Sequence, residues 1–377
     1  MKKINLLIIT TLSVFLYKCS ETKEMFSIAT KDLKQVYKPN ESVILSIENI
    51  ENAKIDSVIY FSNDIKLGKS TENAVFNLKL EKLQFGIQDI KAIVHSEGEK
   101  TECVTSFELV SNITPKLYET KDYTILNTYN HDANAYTQGL EFYNGILLEG
   151  TGQNGESTLR KTDYKSGNVS KSVPLSPDYF GEGITVFNDK IYQLTWKNKV
   201  GFIYNAATLE QEKTFDYFSD VEGWGLTHND KHLIMSDGTN KIYFLNPETQ
   251  KMERFINVYS DTNAITELNE LEWIDGKIWA NIYLKDVIVI INPENGAVEA
   301  VINFSELDAK IENKSFLKKH SHNIIGVDFL KKFKEEYIVC ELFSRSQIFY
   351  IVDFSESKKG NTKIYRVFLL NYCPISE

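Results

Sequence analysis

A short polar turn recurs about every 40 residues along the C-terminal two thirds of the chain, and such a period leaves few folds open. Instances begin at Asp163, Asn205, Asn246 and Asn292, at spacings of 42, 41 and 46 residues, and a fifth is predicted at Asp353 after a longer step of 61 residues. A period in the 40s with several strands in each unit is typical of β-propeller blades, which bury their faces only against their neighbours. We therefore predict a five-bladed β-propeller over residues 116–377.

Residues 26–111 follow a different pattern of short strands in which apolar and polar residues alternate. Six or seven such runs occur in about 85 residues, separated by turn residues such as Pro39-Asn40. This density of short strands predicts an antiparallel β-sandwich of immunoglobulin-like type. Pro115 follows it in a predicted linker, since proline discourages strand pairing. The whole chain is therefore expected to be all-β, with a sandwich preceding the propeller.

The first 19 residues have the pattern of an export signal. Lys2 and Lys3 precede an apolar run over residues 4–16 that is too short to span a bilayer comfortably. Cys19 follows directly, before a polar segment, and this arrangement resembles a bacterial lipoprotein signal, although Lys18 stands where that family has a small residue. The resemblance implies lipid attachment at Cys19 and an exported, membrane-anchored protein at the periplasmic or cell surface. The alternatives are a plain secretory peptide or an uncleaved anchor.

Composition excludes several classes of protein. Lys and Arg total 42 against 52 Asp and Glu, so the chain lacks the positive field that binds nucleic acid. No later segment is apolar enough to cross a membrane, and we expect membrane contact through the lipid alone.

Beyond Cys19 only three cysteines remain, which rules out a disulfide scaffold. We expect Cys103, Cys340 and Cys373 to be small buried hydrophobes, with Cys340–Cys373 the one local candidate for a bridge.

Four similar motifs, at residues 136–142, 180–185, 222–227 and 268–273, begin successive units of the repeat. Inner strands of a propeller start at the same mouth of the channel, so equivalent residues of successive blades are expected to converge there. We predict one funnel that contains Gln138, Glu182, Glu222, Asn269 and Glu270, with walls formed by Tyr136, Phe180, Trp196, Trp224 and Tyr283. A carboxylate among aromatic rings should have a raised pKa, which suits proton transfer. The alternative is that the glycines only permit close packing and the acids are solvated or bind a structural calcium ion.

Seven motifs in this order resemble those of the plant- and bacterial-type glutaminyl-peptide cyclotransferases, the glutaminyl cyclases with a five-bladed propeller. The resemblance covers roughly residues 117–300. Its motifs are Tyr136-Thr137-Gln138-Gly139-Leu140, Phe180-Gly181-Glu182-Gly183-Ile184, Tyr192-Gln193-Leu194-Thr195-Trp196-Lys197, Glu222-Gly223-Trp224-Gly225-Leu226-Thr227, Met235-Ser236-Asp237-Gly238-Thr239, Leu268-Asn269-Glu270-Leu271-Glu272 and Ala280-Asn281-Ile282-Tyr283.

The resemblance implies an enzyme that cyclises an N-terminal Gln of a peptide or protein to pyroglutamate and releases ammonia, an acyl transfer. Glu182 would move the proton, and Gln138 and Asn269 would complete the catalytic group by holding the γ-amide or the backbone of the N-terminal residue. Substrate-binding residues would be Tyr136, Phe180, Trp196, Trp224, Tyr283 and Arg345. The resemblance implies that no metal or other cofactor is required, although a structural calcium ion in the channel is compatible with it. We expect the protein to be a monomer.

The last blade departs from the family pattern, and this keeps a second hypothesis open. The family carries a pocket lysine where this chain has residues 339–345, and Arg345 is the candidate replacement, although guanidinium and ammonium groups are not equivalent. The second hypothesis is a catalytically weakened propeller that binds peptides or another ligand in the same funnel. A structural surface protein is a third. His320 and His322 lack the partners of a metal site and are expected at the surface.

Overall fold

The computed structural model of the protein describes residues 25–71, 75–132, 134–305, 326–333, 336–342, 348–358 and 361–370. The described residues form 31 β-strands and one short 3₁₀ helix, Thr120–Asp122. The prediction of an all-β protein is therefore confirmed. Within these residues no helix is long and apolar enough to span a bilayer.

Nine strands precede residue 110. They are β1 Phe26–Ile28, β2 Val36–Tyr37, β3 Ser42–Leu45, β4 Ile47–Asn49, β5 Ser57–Ser62, β6 Ile65–Thr71, β7 Phe76–Lys79, β8 Gly86–Ser96 and β9 Glu99–Leu109. They form one five-stranded sheet in the order β2-β9-β8-β5-β6 and two small sheets, β1-β4 and β3-β7. Buried and more exposed residues alternate along β8, as the sequence pattern predicts.

The chain divides into two compact units. The first is formed by parts of the chain up to Thr105, and the second includes all described residues from Ser106 onward. Tyr60, Phe26, Leu45 and Ile90 are among the fully buried side chains of the first unit. The immunoglobulin-like assignment of this unit and the domain boundaries at 26–111 and 116–377 stay predictions.

The second unit contains five sheets that follow one another along the chain. The first sheet consists of β12 Thr137–Tyr143, β13 Ile146–Thr151, β14 Thr158–Asp163 and β15 Asn168–Pro174, and the second of β16 Gly181–Phe187, β17 Lys190–Thr195, β18 Val200–Asn205 and β19 Gln211–Asp216. The third sheet consists of β20 Leu226–His228, β21 Leu233–Ser236, β22 Lys241–Leu245 and β23 Met252–Asn257. The fourth includes β24 Leu268–Ile274, β25 Lys277–Ile282, β26 Val287–Ile291 and β27 Val298–Asn303. Each is an antiparallel meander in chain order, which is the structure of a propeller blade.

The fifth sheet uses strands from both ends of the propeller. It has the order β11-β30-β31-β29-β28, where β11 is Tyr123–Asn130, β28 Gly326–Phe333, β29 Glu336–Leu342, β30 Ile348–Lys358 and β31 Asn361–Leu370. β11 pairs antiparallel with β30, and the preceding strand β10, Lys116–Tyr118, pairs with β27 of the fourth sheet. Strand β12 contacts β16, β16 contacts β20, β20 contacts β24, β24 contacts β28, and β28 contacts β12. The five inner strands therefore form a closed ring, and the predicted five-bladed propeller is confirmed.

The repeated polar turn joins the third and fourth strands of each of the first four blades. Its first side chain accepts hydrogen bonds from backbone amides further along the turn, as Asn205 does from Ala207 (3.0 Å) and Thr208 (3.1 Å). Asx turns of this kind stabilise a tight reversal locally. In the other three blades, the backbone amides of Ser166, Glu248 and Glu294 donate to the side-chain oxygens of Asp163, Asn246 and Asn292, respectively.

The prediction of a fifth turn at Asp353 is wrong. Asp353 lies inside β30 and pairs with Arg366 of β31. The run from Ile348 to Phe354 is rich in β-branched and aromatic residues, and these favour a continuous strand over a turn at this position.

Hydrophobic clusters lie between successive blades. Each cluster draws its buried residues from two neighbouring sheets, so the first four blades bury their faces against one another. Examples are Leu148 with Phe202 between the first and second blades, Leu194 with Leu233 between the second and third, and Phe244 with Leu268 between the third and fourth. Cys103 is buried, as expected. The side chains of Cys340 and Cys373 lie outside the described residues, so their bridge stays a prediction.

Three glycines allow neighbouring inner strands to approach closely. A Cβ on Gly139 would lie 2.5 Å from the Ile184 nitrogen, and one on Gly183 would lie 2.6 Å from the Leu226 nitrogen. A Cβ on Gly225 would overlap the Asn269 carbonyl oxygen. Because these neighbours are backbone atoms, they cannot rotate out of the way, and glycine is required for the ring to close at this radius.

We expect Gly225→Ala to destabilise the propeller by at least about 3 kcal/mol, the upper range for forcing an atom into a packed site. Urea denaturation followed by near-ultraviolet circular dichroism measures the loss. The control is Gly145→Asn. No atom lies within 4 Å of a Cβ there, so only the backbone strain at a φ of 81° is added and the loss should be smaller. Equal stability of Gly225→Ala and the wild type would contradict the account of ring closure.

Candidate active site

One cavity opens where the inner strands of the propeller begin. Its volume is about 180 Å³, equivalent to roughly six water molecules at about 30 Å³ each, so it has room for a side chain rather than a folded segment. Eight residues line it: Tyr136, Gln138, Phe180, Glu182, Trp196, Trp224, Asn269 and Tyr283. All eight are residues that the sequence placed in the funnel.

The polar lining residues occupy equivalent places in three blades. Gln138, Glu182 and Asn269 are the second residues of β12, β16 and β24. At each place the pairing with the next strand is irregular, with register shifts between Thr137 and Gly139, between Gly181 and Ile184, and between Leu268 and Leu271. Such irregularities re-aim side chains and are common beside active sites. The three polar side chains are therefore all directed into one volume.

Backbone hydrogen bonds fix the aromatic walls at the same level. Trp196 directly follows β17 and its amide donates to the Phe180 carbonyl (3.0 Å), while the amide of Tyr283, directly after β25, donates to the Glu267 carbonyl (2.8 Å). The rings contact each other edge to face, with centroids 5.6 Å apart for Phe180 and Trp196 and 5.4 Å apart for Trp224 and Tyr283. These walls are therefore held in place before any substrate binds.

Among the described residues, Glu182 is the one carboxyl group that lines the cavity. Only 7% of the residue is exposed, and no described residue donates a hydrogen bond to its carboxyl group. Burial, and secondarily the negative charge of Glu222, raises the pKa of Glu182 well above 4.5. Burial also raises the pKa of Tyr283 beside it. A carboxyl with a raised pKa and unoccupied oxygens can accept and return a proton near neutral pH.

A buried polar network lies behind the start of β12. The Glu149 carboxylate contacts His131 Nε2 (2.8 Å) and accepts a hydrogen bond from the Thr137 hydroxyl (2.5 Å). Burial alone would raise the pKa of Glu149, but the charge and hydrogen bond of His131, the charge of Arg160 and the Thr137 hydroxyl hold that pKa below its usual value. The network thus ties down the residue that precedes Gln138. This network was not predicted, because no motif in the sequence indicates it.

Two acids predicted for the funnel have other roles in the structure. Glu270 follows Asn269 on β24, and its carboxylate accepts a hydrogen bond from the Leu226 amide (3.1 Å), which links the third and fourth blades. Glu222 accepts hydrogen bonds from the indoles of Trp196 (2.7 Å) and Trp224 (3.0 Å) behind the walls of the cavity. Neither residue lines the cavity. Cys19 and Arg345 lie outside the described residues.

Nothing in the described part of the chain supports the structural calcium ion that the sequence left possible. There, no group of three or more His, Cys, Asp or Glu residues could hold a metal ion. His320 and His322 lie outside that part.

Comparisons with known proteins relate this chain to one family. The family model for glutamine cyclotransferase matches residues 100–335, which include every residue of the cavity. A curated Arabidopsis thaliana protein, glutaminyl-peptide cyclotransferase, is 35% identical over 184 residues, or 48% of this chain and 57% of that protein. This chain thus matches less than two thirds of the plant protein's length. The crystal structure of Myxococcus xanthus glutaminyl cyclase matches with a TM-score of 0.50 and 25% identity over 68% of this chain and 99% of that one.

Glu182 should lower the stability of the folded protein at alkaline pH. Its pKa is raised on folding, so the folded state loses stability as the pH rises from 4.5 through the raised value. We therefore expect Glu182→Gln to melt at a higher temperature than the wild type at about pH 8, with a smaller difference at about pH 5. Differential scanning calorimetry measures the melting temperatures of the two proteins at both pH values. Glu248→Gln, at an exposed turn residue, is the control. A melting temperature of Glu182→Gln at or below the wild-type value at alkaline pH would contradict the raised pKa assigned to Glu182.

Proposed function

Because the chain belongs to the glutamine cyclotransferase family, we propose that its propeller is a glutaminyl-peptide cyclotransferase that converts an N-terminal glutamine to pyroglutamate. One observation carries the proposal more than any other. Glu182 places a buried carboxyl of raised pKa, with no hydrogen-bond donor among the described residues, into a cavity walled by aromatic rings. That is the environment that a proton-transfer reaction near neutral pH requires.

The proposed reaction is an intramolecular acyl transfer. The α-amine nitrogen of the substrate forms a bond to the carbon of its own γ-carboxamide, and a tetrahedral intermediate with a negatively charged oxygen results. Glu182 takes a proton from the attacking nitrogen and gives it to the amide nitrogen. The bond between that carbon and the amide nitrogen then breaks, and ammonia leaves. Atoms and charge balance without an oxidant, reductant or metal, so we propose no cofactor.

Gln138 and Asn269 have the chemistry to hold the reacting amide. These residues are 7% and 4% exposed and lie on either side of Glu182 in the blade order. Each carboxamide offers donors to the developing oxyanion and an acceptor to an N–H group. The aromatic walls would exclude water and keep the flexible glutamine side chain folded for ring closure, which raises the effective concentration of the amine.

We expect Glu182→Gln to lower kcat for a short peptide with N-terminal glutamine by about 10²–10⁴-fold, the usual contribution of a positioned general acid–base. Mass spectrometry that follows the loss of one ammonia measures turnover above spontaneous cyclisation. KM should change much less, since glutamine has nearly the same shape as glutamate. Glu248→Gln should retain wild-type turnover. If Glu182→Gln kept wild-type kcat, the role assigned to Glu182 would be wrong.

The altered last blade supports a second candidate function. The family lysine is absent from residues 339–345, so the cavity could bind an N-terminal peptide without turning it over. A wild-type protein that binds the peptide by calorimetry and releases no ammonia would establish this binding function in place of the enzyme. Arg345→Ala tests whether that arginine replaces the lysine, because its loss should then raise KM.

We also propose that the protein is exported and held at a membrane surface as a monomer by lipid at Cys19. The basic, apolar and polar segments around Cys19 support this localisation. We expect cells that express the full chain to incorporate labelled fatty acid into it, and we expect Cys19→Ser to abolish the label. A Cys103→Ser variant that keeps the label is the matched control. Equal labelling of Cys19→Ser and wild type would disprove the anchor.

A further inference from the structure

Glu222 connects two walls of the cavity that come from different blades. Trp196 follows the second strand of the second blade, and Trp224 precedes the inner strand of the third. One carboxylate oxygen of Glu222, Oε2, accepts both indole N–H groups, at 2.7 Å from Trp196 and 3.0 Å from Trp224. Hydrogen bonds to an ionised acceptor are stronger than neutral ones, so this oxygen holds both rings firmly.

The backbone around Glu222 leaves it little freedom. The Gly223 amide donates to the Trp196 carbonyl (2.9 Å), and the Gly183 amide donates to the Trp224 carbonyl (2.9 Å). A Cβ on Gly223 would lie 2.6 Å from the Thr195 carbonyl oxygen, so the segment is packed against the end of β17. The carboxylate is therefore presented to both indoles by a fixed segment.

Each of the two tryptophans contacts another wall residue. Trp196 contacts Phe180, and Trp224 contacts Tyr283, both edge to face. Four of the five aromatic residues that line the cavity are thus connected through one oxygen of Glu222. We call this set, Phe180, Trp196, Trp224 and Tyr283 with Glu222, the aromatic clamp.

We propose that Glu222 is a positioning residue, whose carboxylate holds the aromatic clamp closed around the glutamine side chain at Glu182. This inference rests on the proposed function, since it assigns the clamp to the same substrate. Glu222 does not line the cavity, so it acts through the rings and not by touching the reacting atoms.

The charge of Glu222 has a second effect at the same site. After burial, it is the other cause of the raised pKa of Glu182. The other titratable groups that interact with Glu182 among the described residues are Tyr217 and Tyr283, and burial raises the pKa of both phenols. Loss of the charge at position 222 should therefore lower the pKa of Glu182, while the rings stay in place if an acceptor remains.

Two substitutions in the full chain separate these effects. In Glu222→Gln the amide oxygen can still accept both indole N–H groups but carries no charge. We expect its KM to stay within about threefold of the wild type, while the acid limb of kcat/KM moves to lower pH. Glu222→Leu has no acceptor, and we expect its KM to rise by about tenfold or more because the rings lose their shared partner.

Fluorine NMR of 5-fluorotryptophan-labelled protein provides a readout independent of activity. The chain has four tryptophans. Glu222→Leu should shift the signals of Trp196 and Trp224 and leave those of Trp273 and Trp279 in place, with Glu248→Gln as the control. If Glu222→Leu fails to fold, the Gln variant still tests the inference through its KM and its acid limb.

The outcomes distinguish this inference from the proposed function. A folded wild-type chain without turnover would overturn the proposed function and this inference with it. Wild-type turnover with an unchanged KM in Glu222→Leu would overturn the positioning role of Glu222 alone. An unmoved acid limb in Glu222→Gln would contradict the effect of its charge on Glu182. A raised KM in the Leu variant with a near-normal KM in the Gln variant would support the clamp, because a general loss of structure would not be rescued by the amide.

Discussion

The close approach of neighbouring inner strands around the propeller axis determines where every residue of the cavity lies. Gly139, Gly183 and Gly225 permit that approach because a side chain at any of them would collide with the backbone of the next blade. Residues about 40 positions apart in the chain, such as Gln138 and Glu182, are thereby brought into one volume. The site depends on ring closure, and a change in packing far from the cavity would still move the groups that line it.

The site places a destabilising group where the proposed reaction needs it. Glu182 is buried without a donor among the described residues, which raises its pKa and weakens the folded state at alkaline pH. The clusters between blades and the network around Glu149 keep the surrounding strands in place. Glu222 adds a charge that raises the pKa of Glu182 further and an oxygen that holds two of the walls. The pKa of Glu182 and the geometry of the cavity walls thus depend on the same small group of residues.

Features that depend on local sequence were predictable, and features that depend on tertiary contacts were not. Asn205 and the equivalent turn residues identified four blades because an Asx turn forms within a few residues. The eight cavity residues followed from their equivalent places in successive blades. The turn predicted at Asp353 was wrong because aspartate can also occur inside a strand, as it does here. Glu270 was misplaced because the irregular pairing between Leu268 and Leu271 decides which way its side chain points, and no local pattern reveals that irregularity.

The central claim is that Glu182 remains protonated until well above the pH at which an ordinary glutamate ionises. Infrared difference spectroscopy of the carboxyl C=O stretch measures this directly, with wild type compared with Glu182→Gln across a pH titration. The account predicts a protonated carboxyl band that belongs to Glu182 and disappears at a pH well above 4.5. It also predicts that the band disappears at lower pH in Glu222→Gln. A Glu182 carboxyl that is already ionised at every pH above 4.5 would contradict the account.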